Sequence, residues 1–279
     1  MKTYLKTSLI LLLILSFWKC DTKKESLKSE EEKRKTVEMV TDYGTMVIEL
    51  YNETPLHRDN FVKLVKESAY DSLLFHRVIE TFMIQGGDPD SKYAQPGDML
   101  GEGDLNYQVD AEFHPDLFHK KGVLAAARDD VFPNKVSSSM QFYIVQGKVY
   151  QDSILDKAEE YMNRRMAKEY YKNDPTKKDL LDSLQKSIDS ENWELSTLYM
   201  DTIMNSAKND ENYKMYTIPE LHRQFYRTVG GTPTLDQNYT VYGEVIKGIE
   251  VVDSIAAVQT DSLDRPITDV RIRKVRVLE

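Results

Sequence analysis

The chain has 279 residues, a length that allows one large domain or two small ones. Its formal net charge of −9 argues against a nucleic-acid partner, because phosphate binding requires clustered lysine and arginine side chains. Cys20 is the only cysteine in the sequence, so an intramolecular disulfide is excluded.

Residues 1–20 have the pattern of a secretory signal peptide. A basic start precedes the apolar run Leu9–Trp18, which is about half as long as the roughly 20 residues that span a bilayer. Cys20 resembles the lipid-attachment cysteine of bacterial lipoproteins, although Trp18 and Lys19 stand where small residues are usual. The resemblance implies cleavage before Cys20 and lipidation of that residue. A buried helix of the fold is the alternative.

Residues 21–35 read DTKKESLKSEEEKRK and contain one apolar residue, Leu27. Such a segment cannot bury enough apolar surface to fold alone. We expect a solvated tether between a membrane and a folded domain, with a short charged helix as the alternative. This arrangement predicts a lipid-anchored protein of the cell envelope that faces the periplasm, with its folded domain in residues 36–279.

Eight short segments with alternating or continuous apolar residues are predicted strands. They lie at Val37–Thr41, Met46–Leu50, Leu74–Val78, Phe82–Gln85, Gly122–Ala127, Gln141–Val145, Tyr239–Val245 and Val270–Val277. The pair Thr54-Pro55 predicts the start of a helix with Thr54 as its cap, and a second helix is predicted from Ile249 to Ala256. Many strands with few helices favour a closed barrel or a sandwich, and periodicity alone does not choose between them.

Residues 148–230 interrupt this β-rich pattern. From Lys148 to Val229 there is no glycine and only two prolines, and apolar residues recur at steps of three or four. The steps run through Leu155, Ala158, Met162, Met166 and Tyr170, then Leu181, Leu184 and Ile188, then Leu195, Leu198 and Thr202. The pattern predicts amphipathic helices inserted into an otherwise β-rich domain.

One arginine lies inside an apolar run, in the sequence FHRVIETFMIQGGD at residues 75–88. On a strand, Phe75, Arg77 and Ile79 share one face, and Met83 and Gln85 also share a face. A partly exposed arginine there predicts a hydrophobic pocket with one cationic donor, suited to an apolar ligand with one carbonyl group. The sequence offers neither a nucleophile–base pair nor grouped metal ligands beside it, so no metal site is expected. A cation paired within the fold is the alternative.

The same segment resembles the signature of the cyclophilins, a family of peptidyl-prolyl cis-trans isomerases. Three further segments are similar to later motifs of that family and occur in the family's order: GVLAAAR at 122–128, SSSMQFYIV at 137–145 and TPTLDQNYTVYGEV at 232–245. The resemblance covers about residues 36–147 and 231–279. It implies a mainly β fold, an eight-stranded antiparallel closed barrel capped by two helices, into which the α-helical residues 148–230 are inserted.

The resemblance also implies roles for individual residues. Arg77 matches the catalytic arginine, and Gln85 matches the glutamine that helps to hold it. The implied substrate-binding residues are Phe82, Met83, Ala127, Arg128, Gln141, Tyr143, Leu235 and Tyr239. Tyr143 stands where phenylalanine is usual and adds a hydroxyl to the pocket floor. Tyr239 replaces a histidine found in many members, and Arg128 replaces an asparagine and adds a cation to the cleft.

The implied activity is isomerisation of X–Pro bonds, without a cofactor, a metal or a covalent intermediate. The expected partners are proline-containing peptides and unfolded exported proteins, together with the membrane that holds the N-terminal lipid. The alternative is a membrane-tethered peptide-binding or chaperone module that acts mainly through its helical insertion. The presence of Arg77, Phe82, Met83 and Gln141 favours the isomerase.

Overall fold

Eight strands form one antiparallel sheet in the computed structural model, which describes residues 33–129 and 133–278. The strands of these residues are β1 (Thr36–Thr41), β2 (Gly44–Leu50), β3 (Phe75–Ile79), β4 (Met83–Gly86), β5 (Gln108–Val109), β6 (Val123–Ala126), β7 (Ser137–Ser138), β8 (Phe142–Val145), β9 (Val241–Lys247) and β10 (Ile272–Leu278). The sheet has the order β10-β1-β2-β9-β6-β8-β4-β3, and β5 pairs separately with β7. The prediction of an eight-stranded antiparallel sheet is confirmed.

The strand ladder is open between β10 and β3, so the prediction of a closed barrel is wrong. The outer edge of β3 bonds instead to the chain that precedes β10. The Phe75 N–H donates to the Val270 carbonyl at 2.9 Å, and the Val78 N–H donates to the Asp264 carbonyl at 2.8 Å. These hydrogen bonds give partners to backbone N–H groups at the edge of β3 without adding a strand to the sheet. The sheet is therefore a curled half-barrel.

The α-helices of the described residues are α1 (Pro55–Lys66), α2 (Asp152–Tyr171), α3 (Lys178–Asp189), α4 (Trp193–Lys208), α5 (Glu220–Thr228) and α6 (Ile249–Ala256). Helices α1 and α6 are the two helices predicted beside the sheet, and both contribute to its main apolar core. Thr54 occupies the N-cap position of α1, but its side chain makes no capping bond. The Glu112 carboxylate does so instead, accepting from the Leu56 N–H at 3.0 Å and the His57 N–H at 2.9 Å.

The central strands bury side chains on both faces. On β8, Phe142 and Ile144 belong to the main core with α1 and α6, whereas Tyr143 and Val145 belong to a second apolar cluster on the outer face. Strand β6 shows the same alternation. Because successive side chains of a strand point to opposite faces, a continuous apolar run supplies both clusters at once. The outer cluster provides the apolar surface on which the candidate site is built.

An irregularity in β3 separates Arg77 from Phe75. The register between β3 and β4 shifts between these two residues. As a result Phe75 packs in the main core, whereas Ile79 packs against the outer cluster and Arg77 lies on the same outer side. The prediction that Phe75 shares a face with Arg77 is wrong, because one extra residue in a bulge reverses the alternation of side chains.

Helices α2 to α5 lie between β8 and β9, and we call residues 148–230 the helical segment. Helices α2, α3 and α4 share a small core of their own, formed by Ala167, Tyr171, Leu184, Ile203, Met204 and Ala207. A second small cluster joins Leu155 of α2 and Tyr226 of α5 to Phe118. Among the described residues, no helix is both long enough and apolar enough to cross a membrane.

The amphipathic pattern predicted from Leu195, Leu198 and Thr202 does not give the buried face of α4. Leu195 and Leu198 are 39% and 58% exposed, whereas Ile203 and Met204 are buried. Trp193, at the start of the same helix, is 65% exposed. Helix α4 carries apolar residues on two adjacent faces, and steps of three and four do not distinguish them. Packing against α2 and α3 selects the face that contains Ile203 and Met204.

Candidate active site

A cavity of about 200 Å³ lies on the outer face of the sheet. We call it the proline cavity, after the proline ring that the resemblance to the cyclophilins implies for it. It is lined by Arg77, Phe82, Met83, Gln85, Ala127, Arg128, Tyr143, Leu235 and Tyr239. The structure therefore brings together every residue predicted for the pocket except Gln141, which is bonded to Gln85 beside it. Cys20, the predicted lipidation site, lies outside the described residues.

The apolar part of the cavity comes from three places in the chain. Met83 of β4 and Tyr143 of β8 are buried, because both point to the outer face of the sheet. Phe82 and Leu235 pack against them and are half-buried. Leu235 ends a short 3-10 turn, Pro233–Leu235, that follows the helical segment. This surface can remove a small apolar ring from water, which is the main source of binding free energy at such sites.

Arg77 is the catalytic residue expected from the sequence, and its side chain is 42% exposed at the cavity. Its Nε lies 3.4 Å from a carboxylate oxygen of Asp264. The Asp264 carbonyl also accepts from the Val78 N–H, so the loop that carries Asp264 is fixed to the strand that carries Arg77. Within the described residues, the two Nη groups of Arg77 have no hydrogen-bond partner. The guanidinium is thus held at one end and offers donors at the other.

Gln85 lies opposite Arg77 in the β3–β4 ladder. Its amide donates to the side-chain oxygen of Gln141 at 3.0 Å. The Gln141 amide in turn donates to the carbonyls of Gly101 and Gly103, both at 2.8 Å. Among the described residues the Gln85 side chain bonds to Gln141 and makes no hydrogen bond to Arg77, so the support of Arg77 by Gln85 stays a prediction.

Tyr143 joins the cavity to a buried polar network. Its hydroxyl lies 2.9 Å from His119 Nε2, and His119 Nδ1 lies 2.9 Å from Asp236 Oδ1. The other Asp236 oxygen accepts from the Tyr226 hydroxyl at 2.7 Å. Because Nδ1 faces a carboxylate it carries the ring proton, and Nε2 accepts from Tyr143. The hydroxyl predicted on the pocket floor is therefore directed into this network, and burial raises the pKa of Tyr143 well above its usual value.

The helical segment holds the loop that carries Leu235. Tyr226 of α5 donates to Asp236, on one side of Leu235. Arg165 of α2 donates from Nη1 to the Thr234 carbonyl at 2.7 Å and from Nη2 to the Asp236 carbonyl at 3.1 Å. These charge-assisted bonds to the main chain fix the loop on both sides of the pocket leucine.

Arg128 forms the boundary of the cavity beside Tyr239. Its Nε donates to the Asn238 carbonyl at 3.0 Å, and its guanidinium lies 4.9 Å from the centre of the Tyr239 ring. The predicted cation at the cleft is therefore held against the cavity wall. The neighbouring Ala127 uses its backbone N–H to donate to the Gln141 carbonyl at 3.0 Å. The Ala127 carbonyl accepts from the Ser138 N–H at 2.9 Å, so both backbone polar groups of Ala127 are bonded within the fold.

His76 is buried next to Arg77 and has an unusual environment. Neither ring nitrogen has a hydrogen-bond partner within the described residues. Burial lowers the pKa of His76 to about 4, against the opposing effect of Asp88. The side chain also lines a second cavity of about 220 Å³, on the side of Arg77 that faces Arg265. His76 is therefore neutral at pH 7.

Five residues that shape the site were missed in the sequence: His119, Arg165, Tyr226, Asp236 and Asp264. Asp236 follows the pocket residue Leu235 directly, and its position in the TPTLDQ motif is the one local signal available. The other four lie at least 10 residues from their partners at the site, and their contacts arise from the tertiary fold. No local pattern in the sequence predicts such contacts.

The fold and the cavity together define the class of protein. A curled antiparallel sheet that carries an arginine beside an apolar cavity on its outer face is the arrangement implied for a proline isomerase of the cyclophilin type. The family model described as "Cyclophilin type peptidyl-prolyl cis-trans isomerase/CLD" matches residues 36–164 and 204–277, well over half of the chain. The chain belongs to this family, and it is a peptidyl-prolyl cis-trans isomerase.

Individual relatives agree with the family match. A Staphylococcus haemolyticus protein is 28% identical over 242 residues, covering 86% of this chain and 90% of that protein. A Staphylococcus aureus protein is 29% identical over 244 residues, covering 87% and 91%. Both are named as peptidyl-prolyl cis-trans isomerases. A crystal structure of a cyclophilin type peptidyl-prolyl cis-trans isomerase from Cryptosporidium parvum has a TM-score of 0.50 at 19% identity, covering 88% of this chain and 98% of that chain, and supports the fold alone.

Proposed function

We propose that the chain isomerises X–Pro bonds of exported proteins in the cell envelope, by non-covalent catalysis at the proline cavity. The observation that carries this proposal is the position of Arg77. Its guanidinium is held through Nε by Asp264 and opens onto an apolar cavity of about 200 Å³. A proline ring fills the apolar part, and the X–Pro amide then lies beside the arginine.

The reaction needs no covalent chemistry from the protein. Rotation about an X–Pro bond breaks amide resonance and faces a barrier of about 20 kcal/mol, so the uncatalysed exchange takes tens to hundreds of seconds. In the twisted amide the nitrogen becomes pyramidal and regains its lone pair. Arg77 donates a hydrogen bond to that lone pair, which is delocalised in the planar ground state. An interaction that strengthens only as the bond twists lowers the barrier, whereas uniform binding of the proline ring does not.

The arginine accounts for part of the acceleration. A hydrogen bond to a charged group contributes about 1.5–3 kcal/mol net. An acceleration of about 10⁵-fold requires nearly 7 kcal/mol. The remainder is assigned to the removal of water from the amide by Phe82, Met83 and Leu235, and to the holding of one flank of the peptide while the other turns.

The test is the isomerisation of a short Ala-Pro peptide by the purified full chain, wild type against Arg77→Ala. We expect kcat/KM to fall more than about tenfold, equivalent to about 1.4 kcal/mol. The matched control is Arg276→Ala on β10, whose side chain is 64% exposed and outside the cavity lining, and which is expected to behave as wild type. Unchanged kinetics in a folded Arg77→Ala protein would refute the catalytic role.

A second candidate function is a membrane-tethered peptide-binding or chaperone module that acts through the helical segment. The exposure of Leu195 and Leu198, three residues apart on one side of α4, favours it, because exposed apolar side chains that share a helix face can form a docking surface. The helical segment as an insertion into the family's domain is itself part of this proposal, and it is supported by the gap at residues 165–203 in the family match. Peptide binding that survives the loss of the proline cavity would favour this candidate.

The proposed location rests on the sequence of residues 1–35. The short apolar run, Cys20 and the charged segment after it support a lipid anchor, and stable anchoring needs more than one acyl chain. Mass spectrometry of the mature N-terminus is expected to find Cys20 as the first residue, carrying lipid. An intact Met1, or cleavage at another bond with Cys20 unmodified, would contradict the anchor.

A further inference from the structure

A second groove, of about 370 Å³, adjoins the proline cavity. It shares Arg128, Leu235 and Tyr239 with the cavity, so the two form a continuous surface. The opposite wall of the groove is one side of α2, in the helical segment. We call it the basic groove, defined by the side chains of Arg128, Lys135, Arg165, Lys168 and Lys172.

The charge of the basic groove is opposite to that of the chain. Among the residues that the structure describes, five cationic side chains and one carboxylate, that of Glu169, line it, whereas the chain as a whole has a net charge of −9. Glu169 forms an ion pair with Lys172 at 3.5 Å, and both side chains are more than half exposed. Such a pair neutralises little of the local field. Arg165 and Lys168 of α2 and Lys172, the residue that caps its C-terminal end, recur at helical spacing and therefore lie on one side.

Three of these cations lack an acidic partner. Within the described residues, no carboxylate lies within 4 Å of Lys135, Arg165 or Lys168. Arg165 donates to two main-chain carbonyls, and Lys135 donates to the Gln237 carbonyl at 3.3 Å. Burial lowers the pKa of the Lys135 ammonium and the charge of Arg165 lowers it further, while Glu169 raises it and Arg128 has a smaller lowering effect. Like charges therefore face each other across the groove, and an anion that enters it relieves their repulsion.

We propose that the basic groove binds acidic residues flanking the proline of the substrate, so that the enzyme prefers X–Pro bonds close to glutamate or aspartate. The inference rests on the proposed function, because it takes the proline cavity as the site of the X–Pro bond. A peptide whose proline occupies that cavity passes Arg128 and Tyr239 to reach the groove. An anionic lipid headgroup would meet the same cations, but it would gain nothing from the continuity between groove and cavity.

The test compares peptides that differ only in charge. One acidic peptide carries two glutamates shortly before an Ala-Pro pair and another carries them shortly after it, and each has a control of the same length with glutamines. Exchange between the cis and trans signals of each peptide is followed by NMR with the full chain. We expect kcat/KM for at least one acidic peptide to exceed that of its glutamine control about fivefold or more. The preference should disappear at about 1 M NaCl, where the Debye length is about 3 Å.

Two double variants test whether the preference for acidic peptides comes from the basic groove. The double variant Lys135→Ala/Lys168→Ala is expected to reduce the preference to less than about twofold. The matched control is Lys178→Ala/Lys186→Ala, which removes two exposed lysines of α3 outside the groove and is expected to keep the wild-type preference. A preference that survives in the groove variant would overturn the assignment to these residues.

The remaining outcomes separate this inference from the proposed function. If the wild type isomerises acidic and glutamine peptides equally, the groove has no role in substrate choice and the inference is wrong, while the isomerase assignment stands. Equal turnover together with groove-dependent binding to vesicles of anionic lipid would assign the groove to the membrane, and would equally overturn it. If none of the peptides is isomerised, the proposed function fails, and the inference fails with it.

Discussion

The sheet and the helical segment are stabilised by different kinds of contact. The sheet buries alternate side chains of the same strands in two apolar clusters, one beneath α1 and α6 and one on the outer face. The helical segment has a small core of its own, and its contacts with the pocket loop include the partly buried hydrogen bonds of Arg165 and the buried hydrogen bond of Tyr226. Strand periodicity therefore places the proline cavity on the sheet. Polar contacts between distant residues then fix its floor, at Tyr143, and one wall, at the loop that carries Leu235.

Removing the carboxylate of Asp236 should weaken the contact between the two regions, while the bonds of Arg165 to the main chain remain. Asp236 is 1% exposed and accepts from the His119 N–H, from His119 Nδ1 and from the Tyr226 hydroxyl. In Asp236→Ala all three donors lose their acceptor, so we expect the free energy of unfolding to fall by about 3 kcal/mol or more. Urea denaturation followed by circular dichroism measures the change.

The matched control for that prediction is Asp182→Ala on α3. The Asp182 side chain is 50% exposed and pairs with the exposed Lys178, so its loss should change the free energy of unfolding by less than about 0.5 kcal/mol. Equal effects of the two substitutions would mean that the network does not join the sheet to the helical segment.

His76, a buried residue of the sheet, should make the free energy of unfolding depend on pH. Its pKa of about 4 in the folded protein lies below the ordinary value of 6.5, so the unfolded chain binds more protons between these values. The stability is fully present above pH 6.5 and is lost as the pH falls towards 4. From pH 7 to pH 5 we expect His76 to account for a loss of about 2 kcal/mol in the free energy of unfolding.

Urea denaturation of His76→Leu at both pH values isolates this contribution. The variant should lose about 2 kcal/mol less than wild type between pH 7 and pH 5, since leucine has no proton to bind. His114→Gln is the control, because His114 is 36% exposed and lies outside the core. The same pH dependence in wild type and His76→Leu would show that the buried imidazole is not responsible.

The smallest expected effect concerns Asp264, which acts on Arg77 from outside the cavity lining. Because both side chains are about two-fifths exposed, the ion pair contributes less than about 1 kcal/mol. We expect Asp264→Asn to lower kcat about two- to fivefold with little change in KM, because it loosens the donor that acts on the twisted amide. The free energy of unfolding should stay within about 0.5 kcal/mol of wild type.

A double-mutant cycle distinguishes this positioning role from a general structural one. If Asp264 acts through Arg77, the substitution Asp264→Asn should cost nothing further in an Arg77→Ala background. Steady-state kinetics of the four proteins provides the comparison. Additive losses in kcat would contradict the positioning role.

Most strands could be predicted because their apolar residues alternate or run continuously, but the same alternation placed Arg77 on the face of Phe75, which lies in the main core. The bulge that turns Phe75 into the main core could not be predicted, because one extra residue leaves no mark in the apolar pattern. The open ladder was missed for a related reason: Val270 and Asp264, which bond to the edge of β3, are distant in sequence. Their carbonyls carry no sequence information.

The residues of the candidate site also fall into two groups, those that a local sequence pattern indicates and those that it does not. The residues at 77, 82, 83 and 85 form a local pattern, whereas Gln141, Tyr143, Leu235 and Tyr239 were identified through the resemblance to the cyclophilins. The buried partner of Tyr143 is His119, 24 residues earlier in the chain, and only the fold brings them together. On α4 the sequence offered two apolar faces, and packing against α2 and α3 decided between them.

We propose that the X–Pro peptide binds in the proline cavity rather than on the exposed face of α4. The most direct measurement is an NMR titration of an Ala-Pro peptide into the full chain with labelled methionine and leucine methyl groups. We expect the methyl signals of Met83 and Leu235 to shift as the peptide is added, and those of Leu195 and Leu198 to stay unchanged. Shifts at Leu195 and Leu198 with Met83 and Leu235 unchanged would contradict it and place recognition on the helical segment.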